Sequence, residues 1–362
     1  MSWTAYFTSV WVAAELRDRP ETLRLLGEWG KEPDWLGKEG EVAARAAAAG
    51  TWEEQKRILA VLPARGREGG PCPGTSAGLC CGYRVLDPVC GCPFACRYCV
   101  LRSYLEIGVV RYYLPPSAQG EPAPLPGFRW GTGELGDSLA LGDCGGLLTR
   151  LAGRVAAPGG PVLELKTKSD EVAFLLAAPP RPGLLPAWSL TSDLLWASQE
   201  PGTVSPGARL RAIRRVQEHG YPVALHFDPI FPESGNAPGY ADLLGRLERE
   251  VRPERVAWIS LGALRFPASG SEWLREDPAW QARLAEMIRG RDGKWRYPQA
   301  TRAAFLGTLG RRLRKWAPDA IVYLCMESPE VWEASLGYPP KPGALGRCLD
   351  EKARSLRERS AL

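Results

Sequence analysis

The chain has 362 residues, 45% hydrophobic and 24% charged, with 46 Lys and Arg against 41 Asp and Glu for a formal net charge of +5. That composition excludes wholesale disorder, a collagen-like chain and a coiled coil, and the length suits one large α/β domain with additions or two ordinary domains. So small a basic excess permits a polyanionic partner without demanding one. No uninterrupted apolar run reaches the ~18 residues that span a bilayer, so no membrane association is expected. The opening MSWTAYFTSVWVAAELRDRPE lacks a basic start and carries polar residues through its apolar part, which reads against a signal peptide and for a cytoplasmic location. Of ten cysteines, Cys72, Cys80, Cys81, Cys90, Cys92, Cys96 and Cys99 crowd into one stretch, with Cys144, Cys325 and Cys348 outside it. A disulfide framework would be spread over the loops of a smaller secreted domain, so the clustering points to metal.

In chain order, residues 3–16, 21–29 and 41–62 carry apolar residues at helical spacing, with Thr51 as an N-cap before WEEQKRILAVL. Residues 1–70 are therefore expected as an α-helical N-terminal extension. The Gly/Pro-rich stretch that follows, placed at 71–81, reads as a linker. From 82 onward, short apolar runs at 82–89, 128–134, 161–168, 184–191, 221–229, 255–263 and 320–327 read as strands. Amphipathic helices lie between most of them: GGLLTRLAGRV, DEVAFLLAA, PGARLRAIRRVQEHG, YADLLGRLEREV and AAFLGTLGRRLRKWA. Alternating buried strands and helices imply a parallel sheet with crossover helices, wholly or partly closed into an α/β barrel over 82–335. Polar residues recur at the C-terminal strand ends, where such barrels build active sites: Glu134, Lys168, Ser189, His226, Asp228 and Glu327. Residues 336–362 form a C-terminal tail, charged and frayed from Glu351.

The segment CGCPFACRYCV sets Cys92, Cys96 and Cys99 in a C-x3-C-x2-C pattern after the first predicted strand. Thiolates suit zinc and iron–sulfur clusters alike. Three ligands can hold a [4Fe–4S] cluster with one iron open, whereas a structural zinc site closes with four. No paired Cys or His motif completes a zinc set, and the chain has only two histidines. A zinc-bound, non-enzymatic scaffold is the bland alternative.

With Tyr98 before the third cysteine, this loop resembles that of the radical S-adenosylmethionine superfamily. The order of GCPFACRYCVLRSYL, GTGELGDSLALGD, LELKTKSDEV, WSLTSD, the E-x-GT of Glu200 to Thr203, GYPVALHFDP, ISLGALRF, DGKWRY and YLCMES resembles the spore photoproduct lyase family, from about 80 to 335. The resemblance implies a partial parallel (β/α) barrel of the radical S-adenosylmethionine type, with a [4Fe–4S] cluster held by Cys92, Cys96 and Cys99 and S-adenosyl-L-methionine as cofactor. It further implies that Thr132, Gly133 and Glu134 face the cofactor's amino group, that Lys168 and Ser189 meet its carboxylate or ribose, and that Tyr98 packs beside the adenosyl group. The implied activity is of lyase type: 5′-deoxyadenosyl radical chemistry on a thymine or other nucleobase lesion in DNA, fed by an electron donor such as flavodoxin or ferredoxin.

The sequence departs from that family where a cysteine beyond the second strand returns a hydrogen atom: Glu134 falls there. Val100 stands where the family carries a tyrosine. Cys325, ending a predicted strand, and Cys144, at a predicted helix start, are the candidate substitute hydrogen donors. His226 and Asp228, one residue apart on one strand face, are candidate substrate contacts, with a structural pair as the alternative. Cys72, Cys80, Cys81 and Cys90 are candidates for a second metal centre. Arg209, Arg211, Arg214 and Arg215 are read as a solvated helix face. The missing cysteine also opens the alternative of a non-DNA substrate, whether a peptide, an RNA or a small molecule.

Overall fold

The computed structural model describes all residues except 1, 39, 66–68, 73, 75–77, 116–124, 126, 269–271 and 360–362. Its first part corrects the expected helical extension. Helices α1 (Pro20–Trp29) and α2 (Glu41–Ala48) form as the spacing predicts, but SVWVA and ILAVLP form buried strands β1 (Ser9–Ala13) and β3 (Ile58–Pro63). With β2 (Asp34–Leu36) and β4 (Val110–Leu114) they make a parallel sheet in the order β2-β1-β3-β4, and Val89–Cys90 adds antiparallel to β4. A short, wholly buried apolar run has the same periodicity in a strand as in a core helix, which is why spacing alone misassigned these. The hydrogen-bonded ladder between β3 and β4 joins the N-terminal residues to the segment just beyond the cysteine loop.

The second sheet is the expected partial barrel. Strands β5 (Arg129–Gly131), β6 (Val162–Thr167), β7 (Leu184–Ser189), β8 (Val223–Ile230), β9 (Val256–Ala263) and β10 (Ile321–Leu324) lie in sequence order and parallel, forming most of a curled eight-stranded half-barrel. Helices α3 (Leu147–Val155), α4 (Pro206–Glu218), α5 (Ala237–Glu250) and α6 (Gln299–Trp316) carry the chain between successive strands. Beyond β5 the sheet ends in Arg84–Val85 and then Gly70–Pro71, the latter antiparallel. The predicted strand at 82–89 is thus two strands in two sheets. Pro88 between them has no N–H to extend a ladder. The expected linker at 71–81 begins within the Gly70–Pro71 edge strand.

The expected frayed tail is helix α7 (Ala344–Arg359), with Leu345, Leu349 and Ala353 buried one turn apart. Arg129, itself buried, donates to Asp350 at 2.7 Å and fixes the helix to β5. Of the charged residues that suggested fraying, Lys352 donates to the Asp319 carbonyl at 2.9 Å and Arg354 stacks 3.9 Å from the centre of the Phe128 ring, while residues 360–362 lie outside the described residues. Among the described residues, no helix is long and apolar enough to cross a membrane.

One buried arrangement fixes the cysteine loop to the barrel. After β7, Ser192 caps the helix Asp193–Gln199, and the chain then turns through Glu200 to Thr203. Arg209 on α4 is fully buried. It donates to the Glu200 carboxylate, to Thr203 Oγ1 at 2.8 Å, to the Val204 carbonyl at 3.1 Å and to the Ser189 carbonyl at 2.9 Å. Glu200 also accepts the Tyr98 hydroxyl, while the Ala95 and Arg97 amides bond the Pro201 and Gln199 carbonyls at 3.0 and 2.9 Å. Burial alone would raise the Glu200 carboxyl, but Arg209, Lys168 and Tyr98 hold it below its usual range. Of the four arginines read as a solvated face, Arg209 is therefore the exception.

Removing one partner of a buried ion pair strands the other charge. Arg209→Met should lower the unfolding free energy by about 3–5 kcal/mol in urea titrations, whereas Arg214→Ala, an exposed partner of Glu218, should leave the midpoint in place. Because Glu200 is held low, the pair's contribution is complete above the unfolded carboxyl range and lost as pH falls through the lower folded value. The gap between the two variants should therefore narrow in acid.

Candidate active site

Cys92, Cys96 and Cys99 occupy the loop between Val89–Cys90 and β4, and all three line one cavity of about 480 Å³ at the C-terminal ends of the barrel strands. The size lies within the 300–1,000 Å³ typical of small-molecule sites. The loop is held from both sides. Lys56 donates to the Phe94 carbonyl and Tyr6 to the Pro93 carbonyl from the N-terminal part, opposite the bonds to Gln199 and Pro201. Burial pushes the Cys92 thiol up to about 12 and the Cys96 thiol well above its ordinary range. Only a bound cation would make their thiolate forms favourable there.

Of the residues expected to contact a cofactor, Tyr98, Gly133, Glu134, Lys168 and Ser189 line the same cavity as the three thiols. Lys168 Nζ lies 5.9 Å from the Tyr98 ring centroid and makes no ion pair among the described residues. Nearby in sequence, Glu164 is bonded to His226 and Trp258, and Glu171 accepts the Ala173 amide. Gly133 is required by close approach, since a Cβ there would sit 2.6 Å from Lys166 Cβ. Glu134 accepts Lys166 Nζ at 2.8 Å. Thr132 is not on the cavity wall. It is buried, with its hydroxyl bonded to Ser138 Oγ at 2.7 Å.

The expected His226–Asp228 substrate pair separates. Asp228 faces the cavity in a two-pronged bond with Arg265 at 3.0 and 3.1 Å, and Arg265 holds its carboxyl low although burial would raise it. His226 lies buried among the strands, 2.6 Å from Glu164, which also accepts Trp258 Nε1 at 2.7 Å. Nor do the two residues form a structural pair with each other, since His226 is bonded to Glu164 and Asp228 to Arg265. Cys144 stands at a helix start as expected, in the turn before α3, but it is buried, packed toward α1 and not on the cavity wall. Cys325 follows β10 but does not line the cavity; its sulfur receives Arg265 Nη2 at 3.5 Å.

Sequence reasoning missed Lys166, Asp137, Arg265, Lys294 and Met326, all on the cavity wall. Asp137 fixes the loop after β5 by accepting Thr167 Oγ1 at 2.6 Å and the Lys168 amide at 2.7 Å. The one signal for Lys166 and Lys168 was their alternation along β6, which places both on one face. On the outer side of the cysteine loop a second cavity of about 460 Å³ is lined by Cys96, Cys99, Arg102 and Trp273 among others.

The donor set fits a cluster with an open corner. Every carboxylate on the cavity wall is engaged: Asp137 with backbone and Thr167, Glu134 with Lys166, Asp228 with Arg265. Both histidines are committed too, His219 to the Ala178 carbonyl and His226 to Glu164. Three thiols are left, with no fourth protein ligand beside them on this wall. Among the described residues, no three His, Cys, Asp or Glu side chains already enclose a single ion.

No protein-family model matches the chain, and no curated protein matches it in sequence. Solved structures do. A spore photoproduct lyase complexed with dinucleoside spore photoproduct is 19% identical over 88% of this chain and 98% of that one, with a TM-score of 0.72. A variant of that enzyme with bound AdoMet and dinucleoside spore photoproduct is 19% identical over 88% and 99%, with a TM-score of 0.70. The chain has the partial-barrel fold of spore photoproduct lyase, over nearly the whole length of those structures.

Proposed function

We propose that this protein is a radical S-adenosylmethionine enzyme. The observation that carries the reading is the convergence of the Cys92, Cys96 and Cys99 thiols with Gly133, Glu134, Lys168 and Ser189 on one cavity at the strand ends of a half-barrel. Cys92, Cys96 and Cys99 would hold a [4Fe–4S] cluster and leave one iron for the methionine end of AdoMet. When bound, the reduced cluster supplies the electron that cleaves AdoMet to a 5′-deoxyadenosyl radical. Lys168 sets a point charge for the cofactor carboxylate, Glu134 and the backbone around Gly133 accept from its ammonium, and Tyr98 packs beside its adenosyl group. The outer cavity behind Cys96 and Cys99 gives a flavodoxin or ferredoxin its approach to the loop.

The substrate is read as a nucleobase lesion in DNA, because the fold is that of enzymes seen with a dinucleoside lesion and the cavity carries cations that phosphates would meet. Asp228 locks Arg265 in place, and Lys294, near Met326, stands at the same wall. A second reading has its own observation. The position where the family carries its hydrogen-returning cysteine holds Glu134, and Glu134 is neutralised by Lys166. The wall therefore offers no thiol besides the three of the loop, among the described residues, which favours a non-DNA substrate whose radical is quenched in another way.

Anaerobically reconstituted protein given dithionite and AdoMet should release 5′-deoxyadenosine, and Cys96→Ala should abolish release. A metal-replete protein that releases none, or that holds only zinc, contradicts the reading. Lys168→Ala should keep its iron and weaken AdoMet binding roughly 10- to 100-fold in equilibrium dialysis, the loss of one charge-assisted bond.

The substrate readings separate on dinucleoside spore photoproduct. Recovered thymine, with lesion-DNA binding that falls steeply as salt rises, supports the DNA reading. Cofactor cleavage with no thymine and salt-insensitive or absent DNA binding supports the other.

A further inference from the structure

A carbon radical formed in the cavity is closed by a hydrogen atom, and among side chains the readiest donors are a thiol S–H and a phenol O–H, each weaker than an alkyl C–H or an alcohol O–H. Outside the 92–99 loop, no cysteine among the described residues lines the wall. Of Cys72, Cys80, Cys81 and Cys90, the last lies apart in the N-terminal sheet with its sulfur facing Arg111 at 3.5 Å. Two phenols do line the wall, Tyr98 and Tyr104. The Tyr98 hydroxyl is given to the Glu200 carboxylate. The Tyr104 hydroxyl makes no hydrogen bond among the described residues, and the side chain is 49% exposed.

The cysteine loop itself places Tyr104. Val100 already has helical backbone, and the short helix Leu101–Tyr104 follows it. The Arg102 amide bonds the Cys99 carbonyl at 3.3 Å, the Ser103 amide the Val100 carbonyl at 2.9 Å and the Leu105 amide the Leu101 carbonyl at 2.8 Å. Residues three and four apart on such a turn share a face, and Val100, Leu101 and Tyr104 all line the cavity. Leu101 is buried and anchors that face. A thiol of the loop and the phenol therefore belong to one continuous segment, little more than a helical turn apart. Partial burial holds the phenol above its ordinary range, so it keeps its hydrogen at neutral pH.

We propose that Tyr104 is the hydrogen-atom donor of this cavity and closes the carbon-centred radicals formed there. The inference rests on the radical reading above and on no particular substrate. The phenol O–H breaks homolytically, the hydrogen forms a C–H bond at the radical carbon, and a tyrosyl radical remains on Tyr104. One electron from the carrier that reduces the cluster and one proton from solvent restore the phenol, and the half-exposed side chain is open to both. Tyr98, whose hydroxyl is committed to Glu200, keeps its part in holding the loop. Because a phenol hydrogen exchanges with water, the transferred atom can be traced. Without substrate, the 5′-deoxyadenosyl radical is itself the carbon radical to be closed.

The test takes the full chain, reconstituted and held in thiol-free D2O, reduces it with dithionite, removes the excess reductant and adds AdoMet alone. The 5′-deoxyadenosine released should carry deuterium. Samples frozen during the reaction should show a tyrosyl signal in electron paramagnetic resonance, because no electron is left to quench it, and the signal should narrow in protein made with ring-deuterated tyrosine. Tyr104→Phe keeps the ring at a half-exposed position and removes only the O–H, so it tests the chemistry rather than the folding. The variant should hold its iron, show no tyrosyl signal and release unlabelled 5′-deoxyadenosine. Unlabelled product from the native chain overturns the proposal, as does deuterium or a tyrosyl signal that survives in Tyr104→Phe. No 5′-deoxyadenosine at all contradicts the radical reading instead, which keeps the two failures distinct.

Discussion

The buried Glu200–Arg209 pair is the constraint on which the site depends. Taking two charges out of water is costly, and the cost is offset only where nearly every donor and acceptor finds a partner. Here Arg209 reaches Glu200, Thr203, Val204 and Ser189, and Glu200 reaches Tyr98. Each of those contacts positions something else. Ser189 ends β7 on the cavity wall, and Tyr98 sits between Cys96 and Cys99. A single ion pair thus sets the cysteine loop against the strand ends, and the bonds from Tyr6 and Lys56 brace the loop on its other side. The N-terminal sheet belongs to the same support, because β4 leads directly out of the loop and pairs with β3.

Around the cavity, charges come in fixed pairs. Lys166 holds Glu134, Arg265 holds Asp228, and buried Glu164 is shared by His226 and Trp258. Each pair removes a side chain from the list of possible metal ligands and leaves three thiols facing an otherwise engaged wall. Lys168 is the exception, a cation over an aromatic ring that stabilises the Glu200 carboxylate from a distance and makes no ion-pair contact among the described residues. A cation without an ion-pair contact at a cavity wall beside half-buried thiols is the arrangement that an anionic group on a sulfonium cofactor would complete.

Much of this was legible in the sequence. The C-x3-C-x2-C spacing located the loop, and the strand ends located Glu134, Lys168, Ser189 and Asp228, because residues at C-terminal strand ends share one rim of a barrel. What stayed hidden has physical causes. SVWVA and ILAVLP look alike whether helical or extended once both faces are buried. Arg209 stood among arginines that are mostly solvated, and only its burial against Glu200 distinguishes it. The pairing of His226 with Glu164 joins residues far apart in the chain, and local pattern carries no information about it.

The central claim is that three sulfurs on one loop present a metal vertex open to a small molecule. Electron paramagnetic resonance of the reduced, anaerobically reconstituted protein tests it most directly, recorded with and without S-adenosyl-L-methionine. The account predicts a [4Fe–4S] signal whose g-values shift when the sulfonium compound is added, and no such shift in Cys99→Ala. A signal identical in both samples, or no iron–sulfur signal at all, would contradict it.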